Sequence, residues 1–172
     1  LLKASNKQLH KIAEQIYNRY SEAPFRADTN QAENFLRAPT LNAINSKLDP
    51  GGLVQNIGGK YSIQTEKPAL VSIKDYIERS GSVEGRVLRE KFSKNPFGWY
   101  PDSIRYLVAG LFLSGEIKIN FNGREVVQNG PIAIEAFKNT NSFNRVGVSI
   151  RIDKPNMEVL AFAAKRLTDL SG

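Results

Sequence analysis

The chain has 172 residues, of which 41% are hydrophobic, with no cysteine, one histidine, a formal net charge of +7 and an isoelectric point near 9.7. This length can bury one ordinary hydrophobic core, and the missing cysteines exclude disulfides and thiolate chemistry. No run approaches the ~18 apolar residues of a membrane span, and the first residues lack a secretory signal pattern. The sequence therefore predicts a cytoplasmic protein.

The first third of the chain predicts a helical lead-in with one short strand, residues 1–66. Residues 6–22 predict an amphipathic helix whose apolar stripe, Leu9, Ile12, Ile16 and Tyr20, serves packing. "AENFLRA" and "TLNAINSKL" predict two short helices separated by proline and aspartate. "KYSIQT" alternates like a strand after a glycine-rich stretch.

Residues 67–130 predict a winged-helix-like domain of three helices and a β-hairpin. The first two helices lie in "ALVSIKDYIERSG" and "SVEGRVLREKFSKN". The third begins near Pro101, where the absent backbone donor costs nothing, and ends at Ser114–Gly115. "EIKINFNGREVVQ" follows with alternating apolar residues around Asn122–Gly123, a strong hairpin-turn signal.

Residues 131–172 predict a short helix, a strand and a C-terminal helix that packs on the core or extends from it. The strand "RVGVSIRI" is expected to pair with the hairpin or with "KYSIQT". Apolar residues from Met157 to Leu167 recur at helical spacing, and the chain starts at Leu1 without methionine, so we expect a piece of a longer protein. The predicted fold class is helix-rich α+β.

The third predicted helix is apolar on nearly every side. Only Asp102, Ser103 and Arg105, near its start, could touch a base if this helix entered a DNA groove. A helix that is apolar all round is normally buried. We therefore expect a second layer, from the N-terminal helices or the tail, to cover it.

Catalytic and metal-binding patterns are weak in this sequence. His10 and Glu14 have helical spacing, but a zinc-protease helix needs a second histidine. The pattern around Asp75, Glu78 and Asp102 is typical of solvent-exposed carboxylates. No two acidic residues are predicted to lie in different environments, as an acid–base catalytic pair requires. We predict no catalytic residue, no metal ligand and no enzymatic activity.

"GGLVQNIGGK" ends in Gly-Lys but differs from a phosphate-binding loop. The loop pattern requires glycine where Val54 stands and serine or threonine where Tyr61 stands. The glycines are better explained as turns ahead of a strand. We therefore predict no bound cofactor.

The basic residues of the second helix and the wing are the candidate nucleic-acid contacts, able to follow phosphates without reading sequence. They are Arg86, Arg89, Lys91, Lys94, Lys118 and Arg124. Because the positive charge is spread thinly along the chain, a solvated basic surface is the competing interpretation. In "NPFGWY", Pro96, Gly98 and Trp99 predict a structural turn with an aromatic plug, or alternatively a stacking platform for single strands.

The stretch "LREKFSKNPFGWYPDSIRYLVAGLFLSGEIKI", with its neighbours from about Tyr17 to Arg151, resembles the C-terminal part of the large P-loop ATPase of BREX phage-exclusion systems, called BrxC or PglY-like. The resemblance implies a bacterial anti-phage complex whose parent protein binds and hydrolyses ATP. The nucleotide motif of that family would lie far upstream, and no residue here matches it.

The resemblance and the residues together predict a non-catalytic module that docks with other protein components of a defence complex. The C-terminal helix is a candidate for oligomerisation. The alternative is a winged-helix domain that contacts DNA phosphates without strong sequence specificity.

Overall fold

The computed structural model describes residues 9, 11–13 and 15–152. The described residues from 9 to 16 are helical, and 3-10 turns lie at Tyr20–Glu22 and Leu41–Ala43. The α-helices with assigned bounds are α1 (Gln31–Arg37), α2 (Pro68–Ser80), α3 (Gly85–Ser93), α4 (Pro101–Ser114), α5 (Pro131–Phe137) and α6 (Thr140–Asn144). The strands are β1 (Val54–Ile57), β2 (Lys60–Ile63), β3 (Ser82–Glu84), β4 (Ile117–Phe121), β5 (Arg124–Val126) and β6 (Gly147–Ile150). The predicted C-terminal helix, His10 and Glu14 lie outside the described residues.

The expectation of a helix-rich α+β chain with a winged-helix core is confirmed. Helix α2 has proline at its first turn and ends at Gly81, whose φ of 79° is one that glycine adopts without strain. Helix α4 ends in the same way at Gly115. The turn between β4 and β5 is Asn122–Gly123, with φ of 52° and 77° as a primed hairpin turn requires.

The lead-in differs from its prediction in three places. "TLNAINSKL" forms only the short 3-10 turn, so the second predicted helix is wrong. Strand β1 was missed because its residues stand among turn-forming glycines, yet it pairs along its whole length with β2. Three residues of the stripe predicted to pack are exposed: Leu9 (62%), Ile12 (50%) and Ile16 (42%). They are exposed because backbone contact with the core begins only near Arg19, whose N–H donates to the carbonyl of Pro96.

The late strand β6 lies inside the main sheet, whose order is β3-β6-β4-β5 with antiparallel pairing throughout. Val148 is opposite Val83 on one side and opposite Ile119 on the other. Of the two pairings expected for this strand, the one with the hairpin is correct. The segment between β4 and β6 contains β5, α5 and α6, the last of which was not predicted.

A single cluster of buried apolar residues extends from Ala23 to Val148, and α4 runs through its centre. Strand β3, which the sequence assigned to the second helix, closes one edge of the sheet beneath α2. The lead-in contributes to the same cluster, mainly through Phe35, Leu36 and Leu53, each at most 1% exposed. The division at residues 67 and 130 stays a prediction.

Candidate functional site

The helix that would enter a DNA groove is enclosed. Every residue from Ser103 to Phe112 of α4 is buried. One side of α4 packs on α2, α3 and β4, as in a helical core, and the other side packs on α1 and β2 of the lead-in. The expected second layer therefore exists, and it covers the face that base recognition would need.

The polar residues at the start of α4 bind the protein itself. Ser103 Oγ donates to the carbonyl of Phe25 at 2.9 Å and accepts from the N–H of Ala27 at 2.9 Å. Ser103 is fully buried, and Arg105 is only 1% exposed. Ser103 and Arg105, two of the three side chains that could have touched a base, thus bind the lead-in.

Arg105 joins three separate parts of the chain. Its guanidinium donates to the carbonyl of Thr29 and, at 3.1 Å, to Oγ1 of Thr140 on α6. Asp102 is the ion-pair partner at 3.2 Å. Burial lowers the pKa of Arg105, while the carboxylates of Asp102 and Glu33 oppose this shift. Asp102, predicted to be merely solvated, is instead the counter-charge of a buried arginine.

Tyr106 and Gly110 complete the contact between α4 and the lead-in. The Tyr106 hydroxyl donates to Asp49 Oδ1 and accepts the N–H of Gly51 at 3.2 Å. Burial, followed by the hydrogen bond to Asp49, raises the pKa of Tyr106 above its ordinary value. At Gly110 a Cβ atom would stand 2.5 Å from Leu53 Cδ1, so the missing side chain lets the lead-in approach closely.

The turn before α4 has its aromatic side chains turned mostly inward. Trp99 is 1% exposed, stacks on Phe92 with ring centroids 5.1 Å apart, and donates from Nε1 to the carbonyl of Arg19 at 3.1 Å. Phe97 is also buried, beneath the Arg19 guanidinium at 4.7 Å. The Asn95–Pro96 peptide bond is cis, and Gly98 has φ of 67°. Tyr100 is the exposed aromatic residue of this turn.

Several of the six candidate phosphate-binding residues already have partners. Arg86 pairs with Glu90 at 3.4 Å, and Lys118 pairs with Glu125 at 3.1 Å. Arg89 Nε donates to Asn144 Oδ1 at 3.0 Å. The two exposed ion pairs are weak, so they only partly offset the charges of Arg86 and Lys118, while the neutral Asn144 leaves the charge of Arg89 unchanged.

The other three candidates are freer and do not share one surface. Lys91 lies 5.7 Å from the ring of Tyr76, and Lys94 lines the same shallow depression near the end of α3. Arg124 lies at the wing, in a different depression bordered by α5. Neither of these two depressions contains all six residues, and the phosphate-binding role of the set stays a prediction.

The described residues contain neither a metal-ligand cluster nor a membrane-spanning helix. Within residues 9–152, apart from positions 10 and 14, no group of three or more histidine, aspartate or glutamate side chains is arranged to hold a metal ion. In "GGLVQNIGGK", Gly58 and Gly59 form the turn of the β1–β2 hairpin, so Lys60 begins a strand and not a helix. None of the helices in this part of the chain has the length and apolarity that a bilayer crossing requires.

Comparison with known families gives a match over the second part of the chain. The sequence model described as the BREX ATP-binding protein BrxC winged helix-turn-helix domain matches residues 54–152, which is more than half of the chain. No curated protein and no solved structure matches. The matched range contains α2, α3 and α4, the hairpin and β6, the elements that make the winged helix here. The chain therefore belongs to the BREX BrxC winged helix-turn-helix domain family.

Proposed function

We propose that this chain is a non-catalytic docking module of a BREX-type ATPase, which joins protein components of the defence complex and needs no cofactor. One observation carries the proposal: the helix that a winged-helix protein would place in the major groove is buried from Ser103 to Phe112. A helix used for internal packing leaves the module without a base-reading element.

Displacing the cover over α4 would cost more free energy than one base contact returns. Phe35, Leu36 and Leu53 are each at most 1% exposed. Burial of one such side chain contributes about 1.5–3 kcal/mol, so exposing these three alone would cost roughly 5–9 kcal/mol. A good bidentate contact to a base returns only about 1–3 kcal/mol.

Exposed apolar side chains at two places support a docking role. Leu9, Ile12 and Ile16 form an exposed stripe on the N-terminal helical segment, and Ile57 is 68% exposed at the tip of the β1–β2 hairpin. Grouped exposed apolar residues are typical of protein interaction sites. Both places lie outside the winged-helix core.

Phosphate contact is the second candidate function. Lys94 and Arg124 support it, because both are exposed and neither forms an ion pair with another described residue. Binding of this kind would be weak and strongly dependent on salt.

Fluorescence anisotropy against a labelled duplex and a labelled single strand, at low and at physiological salt, distinguishes the two candidates. A docking module leaves both probes free at physiological salt. Micromolar binding that persists there and is lost in the Arg86→Ala, Arg89→Ala, Lys94→Ala triple variant would favour the DNA function instead. The matched control replaces Lys60, Lys138 and Arg145, three other exposed cations, with alanine.

The docking function itself needs a positive result. Size-exclusion chromatography with purified components of the defence complex should give a co-eluting species that contains the chain. ATP hydrolysis by the chain alone, above that of a blank preparation, would contradict the non-catalytic part of the proposal.

A further inference from the structure

A cleft of about 410 Å³ lies between α2, α3 and the turn that precedes α4. Its volume is within the range of specific ligand sites, about 300–1,000 Å³. Six side chains on its walls carry the argument: Arg19, Val71, Asp75, Tyr76, Arg79 and Lys91.

The charges in this cleft are unevenly matched. Arg19 is paired with Glu22 at 2.8 Å, so its positive charge is largely offset. Arg79 on α2 and Lys91 on α3 are exposed, and neither forms an ion pair with another described residue. Asp75 is the carboxylate among the lining residues. The cleft therefore presents an excess of available positive charge.

The apolar part of the cleft includes two buried phenylalanines, a half-buried tyrosine and an exposed valine. Phe92 and Phe97 are 1% and 5% exposed, and they form the floor. The Tyr76 ring meets the edge of Phe92 at 5.9 Å, and the Lys91 ammonium lies 5.7 Å from the same ring. Val71, at 39% exposure, gives the rim an apolar contact. The two buried rings of the floor are thus not available for a base to stack on.

We propose that this cleft binds an acidic segment of a partner protein. The proposal rests on the docking function proposed above and names the chemistry of the partner. Carboxylates of the segment pair with Arg79 and Lys91, and an apolar side chain beside them contacts Val71. Arginine binds a carboxylate with two parallel hydrogen bonds, which fixes the direction of approach.

Asp75 favours a peptide over a nucleic acid. Its carboxylate can accept a backbone N–H from a bound peptide. A phosphate backbone offers no such donor, whereas the repulsion by Asp75 acts on phosphates and on peptide carboxylates alike. The net charge of +7 on the whole chain adds long-range attraction for an acidic partner.

Calorimetric titration of the 172-residue chain with synthetic peptides tests the proposal. The first probe is a 12-residue peptide that alternates glutamate with leucine and alanine, the second replaces its glutamates with lysine, and the third is a 12-nucleotide oligothymidine. The acidic peptide should bind, more weakly at high salt, and the lysine peptide should not. Double charge reversal by Arg79→Glu and Lys91→Glu should weaken binding at least tenfold.

The control applies the same charge change elsewhere. Lys60→Glu with Lys138→Glu reverses two exposed cations outside the cleft, so affinity for the acidic peptide should stay within about threefold. Equal losses in both double variants, or no binding of the acidic peptide, would overturn the proposal. If oligothymidine displaces the acidic peptide from the unaltered chain, and the Arg79→Glu, Lys91→Glu variant no longer binds oligothymidine, the cleft is a nucleic-acid site instead.

Co-elution with the defence-complex components separates this proposal from the docking function. If the Arg79→Glu, Lys91→Glu chain still co-elutes as strongly as the unaltered chain, the cleft is not the docking site, although the docking function stands. If the unaltered chain does not co-elute at all, the docking function itself fails.

Discussion

Replacing Phe35 with alanine should destabilise the whole described molecule, not only the lead-in. Phe35 lies on α1, is fully buried, and meets the Tyr106 ring of α4 edge-on at 5.2 Å. Truncation of a buried phenylalanine to alanine costs about 3–5 kcal/mol. A chain of this length loses roughly 2–4 °C of Tm per kcal/mol, so Tm should fall by about 6–20 °C.

Urea unfolding followed by tryptophan fluorescence and by far-ultraviolet circular dichroism measures this loss. Trp99 is the single tryptophan of the chain and reports on the turn before α4, where it stacks on Phe92. If the lead-in and the winged helix share one core, both signals should show one transition, and the two midpoints should shift together.

The matched control is Ile57→Ala on the β1–β2 hairpin. Because Ile57 is 68% exposed, its loss should change the free energy of unfolding by no more than about 0.5 kcal/mol. The reasoning would be refuted if Phe35→Ala left the Trp99 midpoint unchanged while circular dichroism showed a separate, earlier transition. In that case the lead-in would be a detachable cover, and α4 could be exposed without unfolding.

Three further changes test two contacts of α4 and one contact between α3 and α6. Folding raises the pKa of Tyr106, so above about pH 10 the unfolded state loses the hydroxyl proton more readily than the folded state, and the free energy of unfolding falls. Tyr106→Phe should remove this part of the stability loss at high pH, as measured by urea titrations at pH 9 and 11. Arg105→Ala removes the ion pair with Asp102 and two hydrogen bonds and leaves a cavity, so thermal unfolding should show a loss of about 2–4 kcal/mol. Gly85→Ala places a Cβ atom 2.0 Å from the carbonyl oxygen of Phe143, so the same assay should show a loss above about 2 kcal/mol.

The arginine and glycine changes each have a comparison elsewhere in the chain. Arg37→Ala removes an exposed helix ion pair with Glu33 and should cost no more than about 0.5 kcal/mol. Gly130→Ala adds a Cβ atom into open space, so little change is expected. A cost for Arg105→Ala as small as that for Arg37→Ala would show that the buried guanidinium does not hold the lead-in. For Tyr106, an unchanged pH dependence in the phenylalanine variant would assign the alkaline loss to other groups.

The elements that sequence analysis located are those whose signal is local. Ile117, Ile119 and Phe121 alternate with polar residues, and the Asn122–Gly123 turn fixes the hairpin without reference to distant residues. The burial of α4 could also be predicted from the sequence, since apolar side chains surround the whole helix.

The elements that were missed depend on distant partners. Strand β3 has three residues, and its central Val83 becomes a strand residue through pairing with Val148, 65 positions later. Helix α6 is similarly short, with its N-terminus held by Asn139 Oδ1, which accepts the N–H of Ser142 at 2.8 Å. Such short segments have no periodicity long enough to identify them.

The same limit applies to the candidate sites. An arginine within the apolar run of α4 was a visible signal that Arg105 is buried, but the sequence could not name Thr29 and Thr140 as its partners. Lys91 was identified as a basic candidate, whereas Arg79 was not, because it belongs to another helix and joins Lys91 only through the packing of α2 on α3. Spatial grouping of charges needs the tertiary structure.

The central position of β6 also has a consequence for synthesis of the chain. Strands β3 and β4 lie on either side of β6, so each has a bare edge until residues 147–150 have left the ribosome. About 60 residues separate β3 from β6, and translation at roughly 5–20 residues per second leaves that edge unpaired for about 3–12 s. During this interval the nascent chain carries a template for wrong strand pairing, which makes it a natural client for chaperones. Protease sensitivity of ribosome-bound chains should therefore drop only after β6 emerges.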